Sequence, residues 1–410
     1  MQTHLADFIK NTAQGREADT ILRSCVHCGF CLATCPTYQL LGDELDSPRG
    51  RIYLIKQMLE GEPVSKKTQL HLDRCLTCRA CETTCPSGVQ YGHLIDIGRG
   101  IAEQMVPRHP LKAMQRKALR MLLPNASVFG FLLKLGQFVR PALPAALKKI
   151  IPARQPQHAW PTARHARRML VLDGCVQPAL APNINAAAAR VLDRLDISLL
   201  RAEKAGCCGA LSFHLNAQDE GLNAMRRNID AWLPYLEQGV ETIVMTASGC
   251  GVTVREYGHL LRDDPAYAEK AARISAASKD LSEVVLAEQE KLVSLLNTTK
   301  RRPIKQKVAF HSPCTLQHGQ KIHGVVEAIL ITAGFDLTTV PNAHLCCGSA
   351  GTYSILQKGL SQQLLKNKVD ALESGAPALI ATANIGCMMH LQGGAHVKVQ
   401  HWVEVLEQQL

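Results

Sequence analysis

A chain of 410 residues that is 46% hydrophobic and 20% charged holds enough apolar material for two or three cored domains, which excludes wholesale disorder. Aromatic residues make up only 4%, which excludes recognition of single strands by base stacking. The net charge of +11 does not argue for nucleic-acid binding either: thirteen Lys or Arg and no acid lie between Gln104 and Arg168, and the other 33 basic residues face 35 acidic ones.

The first twenty residues, MQTHLADFIKNTAQGREADT, lack the basic flank and apolar core of a signal peptide, and no twin arginine stands near the start. A cytosolic-side location is therefore expected, and in a reducing compartment sixteen cysteines read as metal ligands or redox groups rather than disulfides.

Residues 1–103 carry eight cysteines in two dense runs, with a helical pattern over Arg51–Leu59 between them. The first run is CVHCGFCLATCP (Cys25, Cys28, Cys31, Cys35, Pro36) and the second is CLTCRACETTCP (Cys75, Cys78, Cys81, Cys85, Pro86). Both follow C-x2-C-x2-C-x3-C-P, in which three closely spaced thiolates wrap one cubane cluster and the fourth reaches across to the other. This assigns one [4Fe–4S] cluster to Cys25, Cys28, Cys31 and Cys85, and a second to Cys35, Cys75, Cys78 and Cys81. Zinc sites use separated C-x2-C knuckles instead of three cysteines in tandem followed by Cys-Pro.

Residues 104–168 form the acid-free basic segment. From Leu111 to Ile151 an apolar pattern recurs with Lys112, Arg116, Lys117, Arg120, Lys134, Arg140, Lys148 and Lys149, and Pro124, Pro141, Pro144 and Pro152 divide it into short helices. Its longest uncharged run, Met121–Leu133, is too short to span a bilayer. Short basic amphipathic helices suit an anionic membrane surface, while a linker packed on a partner would share the composition.

Residues 169–300 and 301–410 read as two copies of one unit. Cys175, Cys207, Cys208 and Cys250 in the first match Cys314, Cys346, Cys347 and Cys387 in the second, and a glycine follows each pair (Gly209, Gly348). Met169–Leu172, Ile243–Met245, Val308–Phe310 and Leu379–Ile380 are short β-prone runs, each leading to one of the isolated cysteines. Strands alternating with helical patterns predict parallel α/β units, whose sites form at the carboxyl ends of the strands. Each cysteine set is thus a candidate further metal or redox site, although buried cysteines also pack as small hydrophobes.

Two ferredoxin runs followed by two Cys-Cys-Gly units resemble the family of bacterial glycolate oxidase iron–sulfur subunits, as do SPRGRI (Ser47–Ile52) and NIGCMMHL (Asn384–Leu391). Glycerol-3-phosphate dehydrogenase small subunits, a lactate-utilisation protein and heterodisulfide reductase subunits are similar. The resemblance implies an α+β multidomain chain: an α-helical ferredoxin domain followed by two α/β Cys-Cys-Gly domains. It also implies a complex with partner subunits carrying FAD that oxidise glycolate to glyoxylate. In the heterodisulfide reductase branch each unit ends in C-x2-C; here Thr253 and His390 stand at the distal positions, which argues against disulfide reduction and leaves His390 as a nitrogen donor.

No P-loop and no strand-linked G-x-G-x-x-G is present, and Gly98-Arg99-Gly100 reads as helix-end chemistry. Taking two electrons from a 2-hydroxy acid such as glycolate or D-lactate needs a flavin or nicotinamide. With no motif for either, no catalytic residue is assigned here. The chain is expected to relay electrons from a flavoprotein to a membrane acceptor such as quinone, as a peripheral protein on the cytoplasmic side of the inner membrane. The competing readings are an electron-transfer subunit for glycerol 3-phosphate or lactate, a disulfide reductase, and a zinc-structured binding protein.

Overall fold

The computed structural model describes residues 1–144, 148, 151–155, 158–298 and 306–410. Lys149 and the boundary drawn between residues 300 and 301 lie outside the described residues. As expected, a helical N-terminal region precedes two parallel α/β units.

The N-terminal region is built from helices Ala13–Ser24, Pro48–Leu59, Lys66–Asp73 and Tyr91–Met105, with shorter turns carrying the cysteines. Their apolar faces meet in a core of Leu22, Ile55, Leu59, Leu72, Leu94 and Ile95. SPRGRI has a local physical reason. Ser47 caps helix Pro48–Leu59 by accepting the Gly50 amide at 3.0 Å, and Pro48 sits in the first turn where no amide is needed. A Cβ on Gly50 would lie 1.9 Å from the Glu44 carbonyl oxygen, so only glycine fits there. Gly98 lies inside helix Tyr91–Met105 rather than at its end, correcting the expectation for Gly98-Arg99-Gly100. A Cβ there would come within 2.6 Å of Ile55, so the glycine lets two helices close on each other.

In the basic segment Pro124 separates helices Pro110–Leu122 and Ala126–Val139. Among the described residues no single helix is long and apolar enough to cross a membrane; only the two together, bent by 101°, reach that length and composition. Leu111, Met114, Met121, Phe131, Leu135 and Phe138 are exposed, while Arg116 is turned inward toward Asp73.

The first α/β unit contains strands β1 (Arg167–Val171), β2 (Ile197–Arg201), β3 (Ile243–Met245) and β4 (Ser278–Asp280), in the order β2-β1-β3-β4 and all parallel. The second contains β5 (Lys307–His311), β6 (Asp336–Leu337), β7 (Leu379–Thr382) and β8 (Lys398–His401), in the same order β6-β5-β7-β8, again parallel. The cysteine repeat is therefore a repeat of topology. The edge strands β4 and β8 had no apolar run to announce them: Ser-Lys-Asp and Lys-Val-Gln-His are mostly polar. One continuous core joins the units, with Ala187, Ala188 and Val191 of the alanine-rich helix Asn183–Arg194 in the same cluster as Val403 and Leu406 of the last helix. Arg190 and Glu407 pair across that junction at 2.8 Å.

Candidate metal centres

The two cysteine runs adopt the same backbone. His27 and Thr77, each two residues after the first cysteine, have φ of 55° and 53°; Gly29 and Arg79, four residues after it, have φ of 87° and 61°. Two left-handed residues in five turn the chain back on itself, so three thiols face one point. Cys35 precedes a helix that has Pro36 at its first position, which ends the loop.

Cys25, Cys28, Cys31 and Cys85 surround one cavity of about 30 Å³, with Cys81 also on its wall. Cys35, Cys75, Cys78 and Cys81 surround another of about 20 Å³. Each grouping takes three cysteines from one run and one from the other. All-thiolate donor sets in wrapped loops suit iron–sulfur clusters. Burial differs between the two. Cys28 is exposed and flanked by exposed Val26 and Phe30, whereas Cys35, Cys75 and Cys81 are buried.

A buried ion-pair network lies under the second grouping. Arg51 donates to the Thr37 hydroxyl at 3.1 Å, to the His71 carbonyl at 2.7 Å and to Asp46 at 3.2 Å. Asp46 also pairs with Arg74 at 2.8 Å. Burial pulls the Arg51 pKa down, but the facing Tyr91, Cys75, Cys35 and Asp46 outweigh it, so the guanidinium stays charged. Arg99, also buried, donates to the carbonyls of Leu72 and Cys75 and to the Thr77 hydroxyl, anchoring the second loop.

The repeat cysteines follow the strands as expected: Cys175 after β1, Cys207 and Cys208 after β2, Cys250 after β3, and Cys314, Cys346–Cys347 and Cys387 after β5, β6 and β7. These loops lie at the carboxyl edge of each sheet, around the point where strand order reverses. In the first repeat, hydrogen bonds from Cys175 and Cys208 pull the Cys207 thiol down to about 3, and Cys175 and Cys208 are pushed up by the same contacts and by burial. In the second, Cys314 and Cys346 sulfurs stand 3.8 Å apart, and Cys347 is hydrogen-bonded to Cys346 and Cys387. Crowded thiols that share protons among themselves are what a metal relieves, because its ligands bind as thiolates.

Gly209 and Gly348 have φ of 91° and 90°. Each packs closely on the following helix: a Cβ would lie 2.6 Å from the Gly221 oxygen and 2.7 Å from the Ser361 oxygen respectively. The distal positions are occupied by their own hydrogen bonds. Thr253 donates to the Gly249 carbonyl at 3.2 Å, and His390 Nε2 lies 3.2 Å from the Ser361 hydroxyl. The histidine against the sulfurs is instead His311 at the end of β5, hidden in the sequence because it directly follows the apolar run Val308–Phe310.

The sequence also did not reveal how the sites meet. A cavity of about 380 Å³ is lined by Cys75 and Cys78, by Cys175, Cys207, Cys208 and Cys250, and by Cys314, Cys346 and Cys387. Burial and the neighbouring Cys314 raise the Cys78 pKa, which reflects how near the ferredoxin-type loop is to the second repeat. Polar contacts hold the regions together: Arg79 pairs with Glu256, the Thr83 hydroxyl lies 2.9 Å from His318 Nδ1, and Tyr353 donates to the Arg74 carbonyl at 3.1 Å.

Two dicluster-type thiolate loops packed against a pair of cysteine-rich α/β units define an iron–sulfur protein. Residues 21–89 match the family described as 4Fe-4S dicluster domain, and residues 169–255 and 308–392 match the cysteine-rich domain family. Along its full length the chain is 54% identical to the glycolate oxidase iron-sulfur subunit of Escherichia coli K12, over 100% of this chain and 99% of that one. A probable glycolate oxidase iron-sulfur subunit of Bacillus subtilis is 30% identical over 94% of this chain and 92% of its own. Lactate utilization protein A of Bacillus licheniformis is 28% identical over 57% of this chain and 95% of its own. The chain belongs to the glycolate oxidase iron–sulfur subunit family.

Proposed function

We propose that the chain conducts electrons within a complex that oxidises glycolate, or a related 2-hydroxy acid such as D-lactate. Oxidation of the substrate takes place on partner subunits carrying FAD, and the final acceptor is quinone at the cytoplasmic face of the inner membrane. Cys25, Cys28, Cys31 and Cys85 hold one [4Fe–4S] cluster and Cys35, Cys75, Cys78 and Cys81 hold a second, while the cysteines of each repeat hold a further centre. Residues 1–103 and the repeats 169–300 and 301–410 then act as three electron-carrying units, tied by the linker 104–168. Clusters of this kind, when bound, supply one-electron transfer.

The observation that carries this reading is the shared cavity, onto which cysteines of the second ferredoxin-type loop and of both repeats open. Arg79 pairs with Glu256 beside this inner end, whereas Cys28 brings the first site to the surface beside Val26 and Phe30. That end suits a docking partner carrying electrons. The name of the E. coli relative supports glycolate as the substrate. Exposed Phe131, Leu135 and Phe138 next to Lys134 support contact with an anionic bilayer surface.

Iron and acid-labile sulfide counts with EPR on the intact complex test the reading. The isolated, reconstituted chain is expected to oxidise no glycolate with an artificial acceptor, while the assembled complex does. Turnover by the isolated chain, or a colourless zinc-loaded protein, would refute it.

A further inference from the structure

The second repeat has a histidine where the first has none. His311 stands three residues before Cys314; three residues before Cys175 is Leu172, which packs into the first repeat's core. The His311 side chain is 2% exposed. Its Nδ1 lies 2.9 Å from the hydroxyl of Thr382, its register partner on the neighbouring strand β7. Its Nε2 is buried with no hydrogen-bond partner among the described residues. A buried polar nitrogen left unpaired is rare enough in native proteins to require a reason. Here the reason lies beside it: a His311 nitrogen and the sulfurs of Cys347 and Cys387 are all within 4.8 Å of one another.

We infer that His311 Nε2 is a metal ligand in the second repeat, joining the thiolates of Cys347 and Cys387, so that this centre is a mixed imidazole–thiolate one while that of the first repeat is all-thiolate. The surroundings are those of a ligating histidine. A metal-bound imidazole usually donates its other N–H to a fixed acceptor, and with the proton on Nδ1 the Thr382 hydroxyl fills that role and leaves the lone pair on Nε2. Asn384 Nδ2 lies 3.3 Å from the Cys387 sulfur and steadies the adjoining ligand. His390, the nitrogen donor suggested by sequence position, is instead bonded to Ser361.

The inference rests on the electron-transfer reading and orders its parts. A neutral imidazole brings no negative charge to an iron–sulfur centre, and imidazole-ligated centres have higher potentials than all-thiolate ones. The second-repeat centre is therefore the stronger electron acceptor of the two repeats, and electrons collect there.

The test uses the full chain with reconstituted centres, labelled with [15N]histidine, and pulsed EPR in the oxidised and reduced states. A nitrogen hyperfine coupling is expected on a centre other than the two ferredoxin-type clusters. It disappears in His311→Leu, which carries the residue that the first repeat has at this place. His311→Cys is expected to retain the metal and to move that centre's midpoint potential to a more negative value. Absence of the coupling in the wild type, its persistence in His311→Leu, or an unchanged potential in His311→Cys would overturn the inference. The signals of the two ferredoxin-type clusters serve as the folding control in every variant. Their presence without any nitrogen coupling defeats only the role of His311; their absence from the wild type defeats the electron-transfer reading itself.

Discussion

Replacing Arg51 by Met should weaken both the fold of the N-terminal region and the electronics of its inner metal site. The Arg51–Asp46 pair is essentially out of solvent, with side chains 1% and 0% exposed. Removing one partner of such a pair typically costs 3–5 kcal/mol, because the other charge stays buried. Asp46 keeps Arg74 at 2.8 Å and His71 at 3.1 Å, which places the loss at the low end, about 3 kcal/mol. With a urea dependence of about 2 kcal/mol per molar, the midpoint for loss of the cluster absorbance should fall by about 1.5 M. The second consequence is electrostatic. The guanidinium charge acts on the Cys35 and Cys75 thiolates, so its removal destabilises the more negative, reduced state of a cluster held there. Redox titration followed by EPR should show that cluster's potential moving negative in Arg51→Met and much less in Arg51→Lys, while the cluster near Cys28 holds its value. An unchanged midpoint together with an unchanged potential would refute the argument that this ion pair supports the site.

Cys35→Ser should perturb the cluster built mainly by Cys75, Cys78 and Cys81; an EPR loss confined to the other cluster would contradict the crossed ligation. Gly348→Ala places a Cβ 2.7 Å from the Ser361 carbonyl oxygen at a φ of 90°, and thermal unfolding should report a loss of at least about 2 kcal/mol. The contact of the N-terminal region with the first repeat should weaken in alkali. Burial pulls His93 down, but the facing carboxylates of Glu17 and Glu256 overcome it and lift its pKa from 6.5 to about 9. A raised histidine pKa contributes stability that is complete below 6.5 and lost as pH rises through 9. The difference in melting temperature between wild type and His93→Gln should therefore shrink between pH 6 and pH 10, and a constant difference would refute the role of this histidine.

What was legible in the sequence follows from the range of the interactions that decide each feature. The C-x2-C-x2-C loops are local devices: a few residues with left-handed His27, Gly29, Thr77 and Arg79 bring three thiols together, so spacing alone pointed to them. The register of the repeats was legible because each isolated cysteine comes soon after an apolar strand, and strand order is repeated with it. The edge strands were hidden because Ser278–Asp280 is short and mostly polar and Asp336–Leu337 has only two residues; both are defined by pairing with a neighbour rather than by an apolar pattern. Gly98 misled for a related reason, since its role depends on Ile55, more than forty positions away.

The functional geometry was the least legible part because it is made by docking. Nothing within the Cys75–Cys85 run indicates that it will face both repeats. That placement depends on side chains such as Arg79, whose partner Glu256 is 177 positions away, and Thr83, whose partner His318 is 235 away. The same contacts explain why the two repeats are not interchangeable. The first repeat meets the N-terminal region through charged groups, Arg79 with Glu256 and Glu17 with Arg262. The second meets it through Thr83 with His318 and Tyr353 with the Arg74 carbonyl, and among the described residues it alone has an imidazole beside its sulfurs. A duplicated unit docked twice on one partner meets two different surfaces, so its copies are free to diverge in ligand chemistry while keeping their cysteines. Leu172 and His311, at matching positions, are the point where that divergence reaches the cysteines.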